Sequence, residues 1–420
     1  MRIALLTYRG NMYCGGQGIY AAYLARELRA LGHDVHVIAG PPLPELAPGI
    51  PLHVIPNQNV FGVRHPDWAR RERPLSLLAP LNLFELGVSR FGVFPEMQTF
   101  GLRLLLRWRE LQRRHRFDVV FDNQSLSWGL LGIRAAGTPV VSVIHHPLHI
   151  DREADFAIDP RLATRIRRTL YFPLFMQQQV APRLDRIVTV SEASRAEIQR
   201  YFGIPEKEVP VVYNGTDTDL FRPVPGTPIE ADLLFVGRTE DRKKGIGTLL
   251  EAMAHLPAGV TLKIVDGRIP DDGLVPRLIR RFRLEQRVVL HRSRMLTTEE
   301  LVRQYSTARI AVVPSFFEGF GFPASEAMAC GLPVVANAAG ALPEVVGTSG
   351  EAGLLVPPRD ARALAAAIRR ILAEPGRAER MGRAARARVQ RLFRWSGAAV
   401  GLAAVLEETV RAAHRRPRPA

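Results

Sequence analysis

Cysteine is nearly absent from this 420-residue chain: Cys14 and Cys330 are the only two. Standing more than three hundred residues apart, they offer neither metal-ligand spacing nor a disulfide framework. Such sparing use fits a reducing compartment. Lysine is scarce as well, with four Lys against 53 Arg. Lys243 and Lys244 share one charged loop, so few lysines remain to carry a covalently bound cofactor such as pyridoxal phosphate. Long apolar runs are missing too. No window approaches the roughly 18 uninterrupted apolar residues of a membrane span. The apolar run that opens Met1-Arg2-Ile3-Ala4-Leu5-Leu6 is too short for a secretory leader and is followed by Tyr8 and Arg9. A cytoplasmic protein is the expectation. Repeats at solenoid periods are absent, which excludes a stacked-repeat array.

What is present is ordinary globular composition, 47% hydrophobic and 23% charged. At about 150 residues per domain, the length predicts two or three domains. The net charge is +16 and divides evenly, about +8 on each side of residue 205. A nucleic-acid module would concentrate that excess on one element, so no nucleic-acid partner is expected. An even excess fits anionic small ligands or peripheral docking on an anionic membrane, such as the inner face of the cell membrane. It equally fits an arginine-rich set of solvated faces.

Two runs of alternating strands and helices follow one another. In the first, strands are expected at Arg2–Tyr8, Val35–Ile38, Asp118–Phe121, Pro139–Ile144 and Arg186–Val190, with a helix over Ile19–Leu31. Gly40–Pro74 is Pro-rich and aperiodic and reads as a long loop; Leu102–Arg116 and Arg161–Arg183 read as basic amphipathic stretches. In the second run, strands are expected at Leu233–Val236, Thr261–Val265, Val288–His291, Ile310–Val313 and Val334–Ala336, with a helix over Thr248–His255. Alternation of this kind means parallel sheets covered on both faces. The fold class is therefore α/β with two Rossmann-like domains. Asn214-Gly215 and the prolines 223, 225 and 228 mark the junction. The predicted division is 1–212, a connector 213–228, a second domain 229–394, and a terminal helix with a basic tail over 395–420.

Four segments could carry chemistry. Gly15-Gly16-Gln17-Gly18 opens the first helix, where bare amides and the helix N-terminus favour an anion. A tight turn would read the same way. It is not a dinucleotide fingerprint, because the second strand ends Ile38-Ala39-Gly40 with no acid to hold a ribose. Gly237–Gly245 places Arg238 and Lys244 around a strand-to-helix loop, a fork and a point charge able to grip a diphosphate. The densest block is Pro314–Val334. Gly319 and Gly321 bracket a loop, Glu318 lies within it, and Glu326 is expected in or near the first turn of the following helix. Those two carboxylates suit a ligand with a ribose diol and a second polyol; helix capping is the plain alternative for Glu326. Finally, His145-His146-Pro147 follows a strand, where a parallel sheet presents side chains to its crevice. Asp122 and Asn123 follow another strand and could line the same crevice; a turn reads equally well. His, Cys, Asp and Glu stand nowhere at a metal-binding spacing, so no metal is expected.

Taken in order, these elements resemble the family 4 retaining glycosyltransferases of the GT-B fold, over nearly the whole chain. Gly15-Gly16, Pro139–His145, Val190-Ser191-Glu192, Tyr213–Pro223, Gly237-Arg238 with Lys244-Gly245, and the pair Glu318 and Glu326 carry the likeness. The resemblance implies two domains facing across a deep cleft, the first for the acceptor and the second for the donor, and a helix after Trp395 crossing back to the first. It implies transfer of a hexose from GDP-mannose or a UDP-sugar to a hydroxyl of a glycolipid, lipid-linked or oligosaccharide acceptor in cell-envelope or polysaccharide biosynthesis. No cofactor and no metal take part in that chemistry.

By the same resemblance, Arg238 and Lys244 neutralise the donor diphosphate, with the amides of Gly15 and Gly16 adding to that site. Glu326 holds the ribose. Glu318, with Gly319 and the amides of Phe320, Gly321 and Phe322, orients the donor sugar, and His145 hydrogen-bonds a sugar hydroxyl beside the reacting carbon. His146, Asp122 and Asn123 are candidates for acceptor or sugar contacts. Two features depart from the common pattern, Val265-Asp266-Gly267 near the base pocket and the Phe94-Pro95-Glu96 segment. Alternatives are a nucleotide-sugar epimerase or a phosphorylase on a similar scaffold, and a non-catalytic sugar-binding protein. A phosphorylase needs a pyridoxal-bearing lysine, and loss of Arg238, Lys244 or either glutamate would have favoured the non-catalytic reading; all four are present.

Overall fold

The computed structural model describes residues 1–10, 16–59, 79–90, 95–158, 165, 169, 173–292 and 296–415. Gly15, Cys14, Phe94, residues 60–74 of the long loop and much of the 161–183 stretch lie outside the described residues. Two compact units emerge. One comprises Met1–Val190, Ser194–Val212 and Ala398–Ala420; the other comprises Ser191–Ala193 and Tyr213–Gly397.

The first unit is built on a six-stranded parallel sheet of β1 (Arg2–Thr7), β2 (Asp34–Ala39), β3 (Leu52–Val54), β4 (Val119–Asn123), β5 (Val140–Ile144) and β6 (Arg186–Thr189), in the order β3-β2-β1-β4-β5-β6. β4 and β5 are buried along their whole length, so their Val, Ile and Phe residues do not alternate with exposed ones; Asp122, Asn123 and Ser142 are buried with them. The chain reverses its direction of winding between β1 and β4, leaving a crevice at their carboxyl ends. The helix Glu96–His115 presses Phe100, Leu104, Trp108 and Leu111 into this core. Its basic face is the solvated side of a core helix. The last helix, Trp395–Arg415, starts in the second unit and from Ala398 onward packs with the first.

The second unit repeats the plan with β7 (Ala231–Val236), β8 (Leu262–Asp266), β9 (Val288–Arg292), β10 (Ala308–Val313), β11 (Val334–Asn337) and β12 (Gly353–Val356), ordered β12-β11-β10-β7-β8-β9. Winding reverses between β7 and β10. Two strands escape the sequence pattern. β3 lies inside the segment read as a loop; with three residues of mixed exposure it offers no periodicity. β12 is four residues long and half-buried at its centre. Among the described residues, no helix is long and apolar enough to cross a membrane.

Candidate active site

The crevice of the second unit lies where β7 and β10 part. Gly237 and Arg238 leave β7, and the single 3-10 turn Arg242–Lys244 brings the chain to the helix Ile246–Ala254. Asp241 caps that turn by accepting from the Lys243 amide at 3.1 Å. Gly245 then turns through a left-handed φ of 69°, with Pro314 O only 1.9 Å from where a Cβ would stand. Only glycine fits there.

From the other side, β10 ends and the loop Pro314–Gly321 begins. Lys244 Nζ crosses the switch point to donate to Glu318 Oε1 at 2.7 Å, and Ser315 Oγ donates to the same oxygen at 2.7 Å. Both charges are largely buried, with side chains 22% and 12% exposed. Coulomb attraction is therefore less screened here than in a surface pair. Arg238 is the opposite case, 65% exposed and paired with Asp241 at 3.1 Å.

Residues outside the glycine-marked motifs brace these loops. Asn337, the last residue of β11, donates from Nδ2 to the carbonyls of Pro314 and Ser315 at 2.6 and 3.2 Å. Gly340, at φ 54°, lets its chain lie against Glu318; a Cβ would sit 2.4 Å from Glu318 O. Asp266, one of the noted departures, accepts from the Thr239 amide and hydroxyl, both at 2.7 Å, and so braces the loop that carries Arg238. An Asn or Asp ending a strand beside a candidate loop was the available signal.

The helix Phe322–Ala329 starts at Gly321, which has φ 102°. Phe322 N–H stands in its first turn, without an intrahelical acceptor. Phe320 is buried and packs edge-on to Phe322 at 5.4 Å, which fixes where these amides point. Glu326 is the fifth residue of the helix, in its second turn and not its first, so the capping explanation fails. Its carboxylate accepts from Tyr305 OH at 2.9 Å. Burial pushes its pKa up to about 7, against the opposing effects of that hydrogen bond and of Lys244. Tyr305 itself went unnoticed in the sequence, where it is one aromatic in a helix.

The crevice of the first unit is lined by different groups. Gly16, at φ 74°, caps the helix Gln17–Ala30. Asn123 ends β4 and donates from Nδ2 to Gln17 O at 3.0 Å. Its Oδ1 then faces His145 Nε2 at 2.7 Å. With the amide so oriented, Nε2 carries the proton and Nδ1 is left as an acceptor. Gln124 accepts from the His145 amide at 2.7 Å, and Tyr20 meets the imidazole edge-on at 4.6 Å. Burial, aided by His146, pushes the His145 pKa down to about 3, so the ring is neutral at physiological pH. His146 pairs with Asp151 at 2.9 Å.

Asp122 does not line the crevice. It is wholly buried and accepts from Ser125 Oγ, Ser142 Oγ and the Leu126 amide at 2.5, 2.7 and 3.1 Å. Alternation along β4 puts the two on opposite faces of the sheet, Asn123 toward Gln17 and His145, Asp122 toward Ser125 and Ser142. Asp122 is a brace.

A cation paired with a carboxylate at one switch point and a neutral histidine at another are compatible with a sugar-nucleotide enzyme. The family model Glycosyl transferases group 1 matches residues 230–374, and Glycosyltransferase Family 4 matches residues 14–220. The chain is 39% identical over 414 residues to the MMP alpha-(1->4)-mannosyltransferase of Mycolicibacterium hassiacum, spanning 98% of both proteins. Sucrose-phosphate synthase from Thermosynechococcus elongatus superposes with a TM-score of 0.75 at 27% identity, over 98% of this chain and all of that one. HepE of Anabaena, solved with UDP, superposes over 97% of this chain and all of that one with a TM-score of 0.68 at 21% identity, a likeness of fold. The chain belongs to the family 4 glycosyltransferases and has the GT-B fold. It is a hexosyltransferase that uses a nucleotide-sugar donor, which retires the epimerase, phosphorylase and non-catalytic readings.

Proposed function

We propose that the enzyme transfers a mannosyl residue, with retention, from a nucleoside diphosphate mannose to a hydroxyl of a mannose-containing glycan, in an α-(1→4) linkage. The sugar and linkage rest on the mannosyltransferase that shares 39% of its residues across 98% of the chain. The transfer chemistry rests on one geometric observation, the Lys244–Glu318 pair spanning the β7/β10 switch point. Donor binding would recruit Lys244 and Arg238 to the diphosphate. Glu318, freed in part from its cation, would accept from sugar hydroxyls, beside Gly319 and the amides of Phe320, Gly321 and Phe322. Glu326 would take the ribose. The amides of Gly15 and Gly16 would add donors to the diphosphate.

His145 Nδ1, the free acceptor, would receive a hydroxyl of the donor sugar. His146 and Asn123 are assigned to sugar or acceptor contact, Asn123 through His145. In the reaction, the bond from the anomeric carbon to the diphosphate oxygen breaks as the acceptor oxygen bonds to the same face of that carbon. The acceptor proton passes to the departing phosphate oxygen. Preorganised cations stabilise the charge that develops there. No residue of the chain serves as a covalent nucleophile, and the protein needs no metal for this step. The donor domain would be the second unit and the acceptor domain the first.

The test offers GDP-mannose, GDP-glucose, UDP-glucose and ADP-glucose in turn with an α-mannoside acceptor, and reads the product anomer and linkage by NMR. Transfer from GDP-mannose with an α-(1→4) product is expected. Transfer from another donor alone, or a β product, overturns the proposal. The +16 charge also motivates docking on an anionic membrane. Sedimentation with anionic vesicles at low salt, lost at high salt, is the expected result; no binding at low salt sinks it.

A further inference from the structure

Away from the ligand edge of the first sheet, three histidines distant in sequence come together. His36 lies on β2, His53 on the edge strand β3, and His115 ends the helix Glu96–His115. One imidazole nitrogen from each lies within 4.8 Å of the others, and all three residues are half-buried. His36 Nδ1 is 2.9 Å from His53 Nε2, and the two rings stack within 3° of parallel. Metal-free, that contact needs a proton between the two nitrogens. With a metal, it needs none.

We propose that His36, His53 and His115 form a binding site for a divalent transition metal of the zinc type. Three imidazoles are an established donor set for such ions. Zinc–nitrogen bonds of about 2.0–2.1 Å place tetrahedral ligand atoms about 3.4 Å apart, within small ring rotations of the observed cluster. His36 Nε2 stands 3.4 Å from Asp34 Oδ1, the carboxylate–histidine relay that orients a ligand whose other nitrogen faces the metal. The cluster also caps the carboxyl end of a 20-residue helix, whose dipole favours a cation. Arg107 and Arg114 lie close enough to oppose a positive guest, which sets a moderate rather than extreme affinity.

Position suggests the role. His36 and Asp34 lie toward the amino end of β2, opposite the ligand edge, and the metal would tie β2, the three-residue edge strand β3 and the helix end together. The metal is structural and takes no part in sugar transfer. None of these residues shares a sequence motif, which is why the spacing test on the sequence finds nothing.

Calorimetric titration of the chelator-treated full-length enzyme with Zn2+ at pH 7.5 tests this, with Co2+ absorption reporting the ligand field. One equivalent of Zn2+ and a tetrahedral Co2+ spectrum are expected. His53→Gln and His115→Gln should each abolish stoichiometric binding, and Asp34→Asn should weaken it about 10–100-fold. His255→Gln, an exposed histidine elsewhere, should bind as wild type does. Far-UV circular dichroism checks that each variant is folded, and His53 on the edge strand is the change best tolerated. Absence of saturable binding by the wild type overturns the proposal. So does binding that survives in the folded His53→Gln and His115→Gln proteins.

Discussion

The two switch points share a topology and differ in chemistry. Each pins its loop with an asparagine that ends a strand, Asn123 on Gln17 O and Asn337 on Pro314 O. Beyond that brace they diverge. The first presents a neutral imidazole, an amide and a phenol ring edge; the second presents Lys244, Arg238 and two carboxylates. A common winding thus supplies the crevice, and the residues at the strand ends decide what enters it. On the proposed reading, the division would follow the charge of the reaction, with the developing anion at the diphosphate and neutral hydroxyls at the sugar.

If that division is right, the largest loss follows from the second unit. Lys244→Ala should cut kcat/KM about 10²–10³-fold, the usual effect of removing one preorganised electrostatic stabiliser. The change should fall on kcat as well as KM, because the charge at the leaving oxygen grows toward the transition state. Steady-state kinetics with saturating acceptor checks it. A loss in KM alone would reduce Lys244 to a binding residue. His145→Ala should cost less, about 10–100-fold, since a hydroxyl contact with a neutral ring carries less charge. An effect equal to that of Lys244→Ala would break the comparison.

Acid and base should also act on the two sites in opposite senses. Glu326 is raised to about 7, so the native protein binds its proton more tightly than the unfolded chain. Its burial costs nothing below the ordinary carboxylate value and costs most above pH 7, so this contribution lowers stability as pH rises from about 4.5 to 7. Glu326→Gln should remove that slope and raise the stability of the ligand-free enzyme at pH 8 by about 1–3 kcal/mol, while weakening donor binding. His145 is depressed to about 3, so here the unfolded chain binds the proton more tightly. Its contribution is a loss of stability as pH falls from about 6.5 toward 3. His145→Gln should flatten that acid limb. Urea midpoints across pH 4–8 read both, and parallel slopes in the two variants would refute the assignment.

Most of the architecture was legible because fully buried parallel strands advertise themselves as unbroken Val/Ile/Leu runs between helices. β3 and β12 were not: both are short and only partly buried, whereas the equally short β6 and β11 are nearly wholly buried and read as apolar runs. Motif-bearing residues such as Glu318, Lys244 and His145 could be named from glycine-marked loops after strands. Their partners could not. Tyr305, Ser315, Asn337 and Gly340 act through contacts that only the fold creates, and nothing local distinguishes them. Asp122 and Asn123 show the finer limit. A strand end can be located by eye, but which of two adjacent polar residues faces the crevice depends on a register one residue wide.

The smallest expected effects concern the two braces. Asn337→Ala strands two carbonyls that a single amide now satisfies, and leaving buried acceptors unpaired costs about 1–3 kcal/mol. Because those carbonyls belong to the loop that carries Glu318, donor affinity should fall only a few-fold while stability takes the larger share. Asn123→Ala removes an equivalent brace but also releases His145 Nε2, so it should lower kcat beyond its effect on the melting temperature. The contrast is measurable as the ratio of activity lost to stability lost, which should be higher for Asn123 than for Asn337. Equal ratios would mean that Asn123 merely holds its loop, and that the tautomer of His145 is set by something other than this amide.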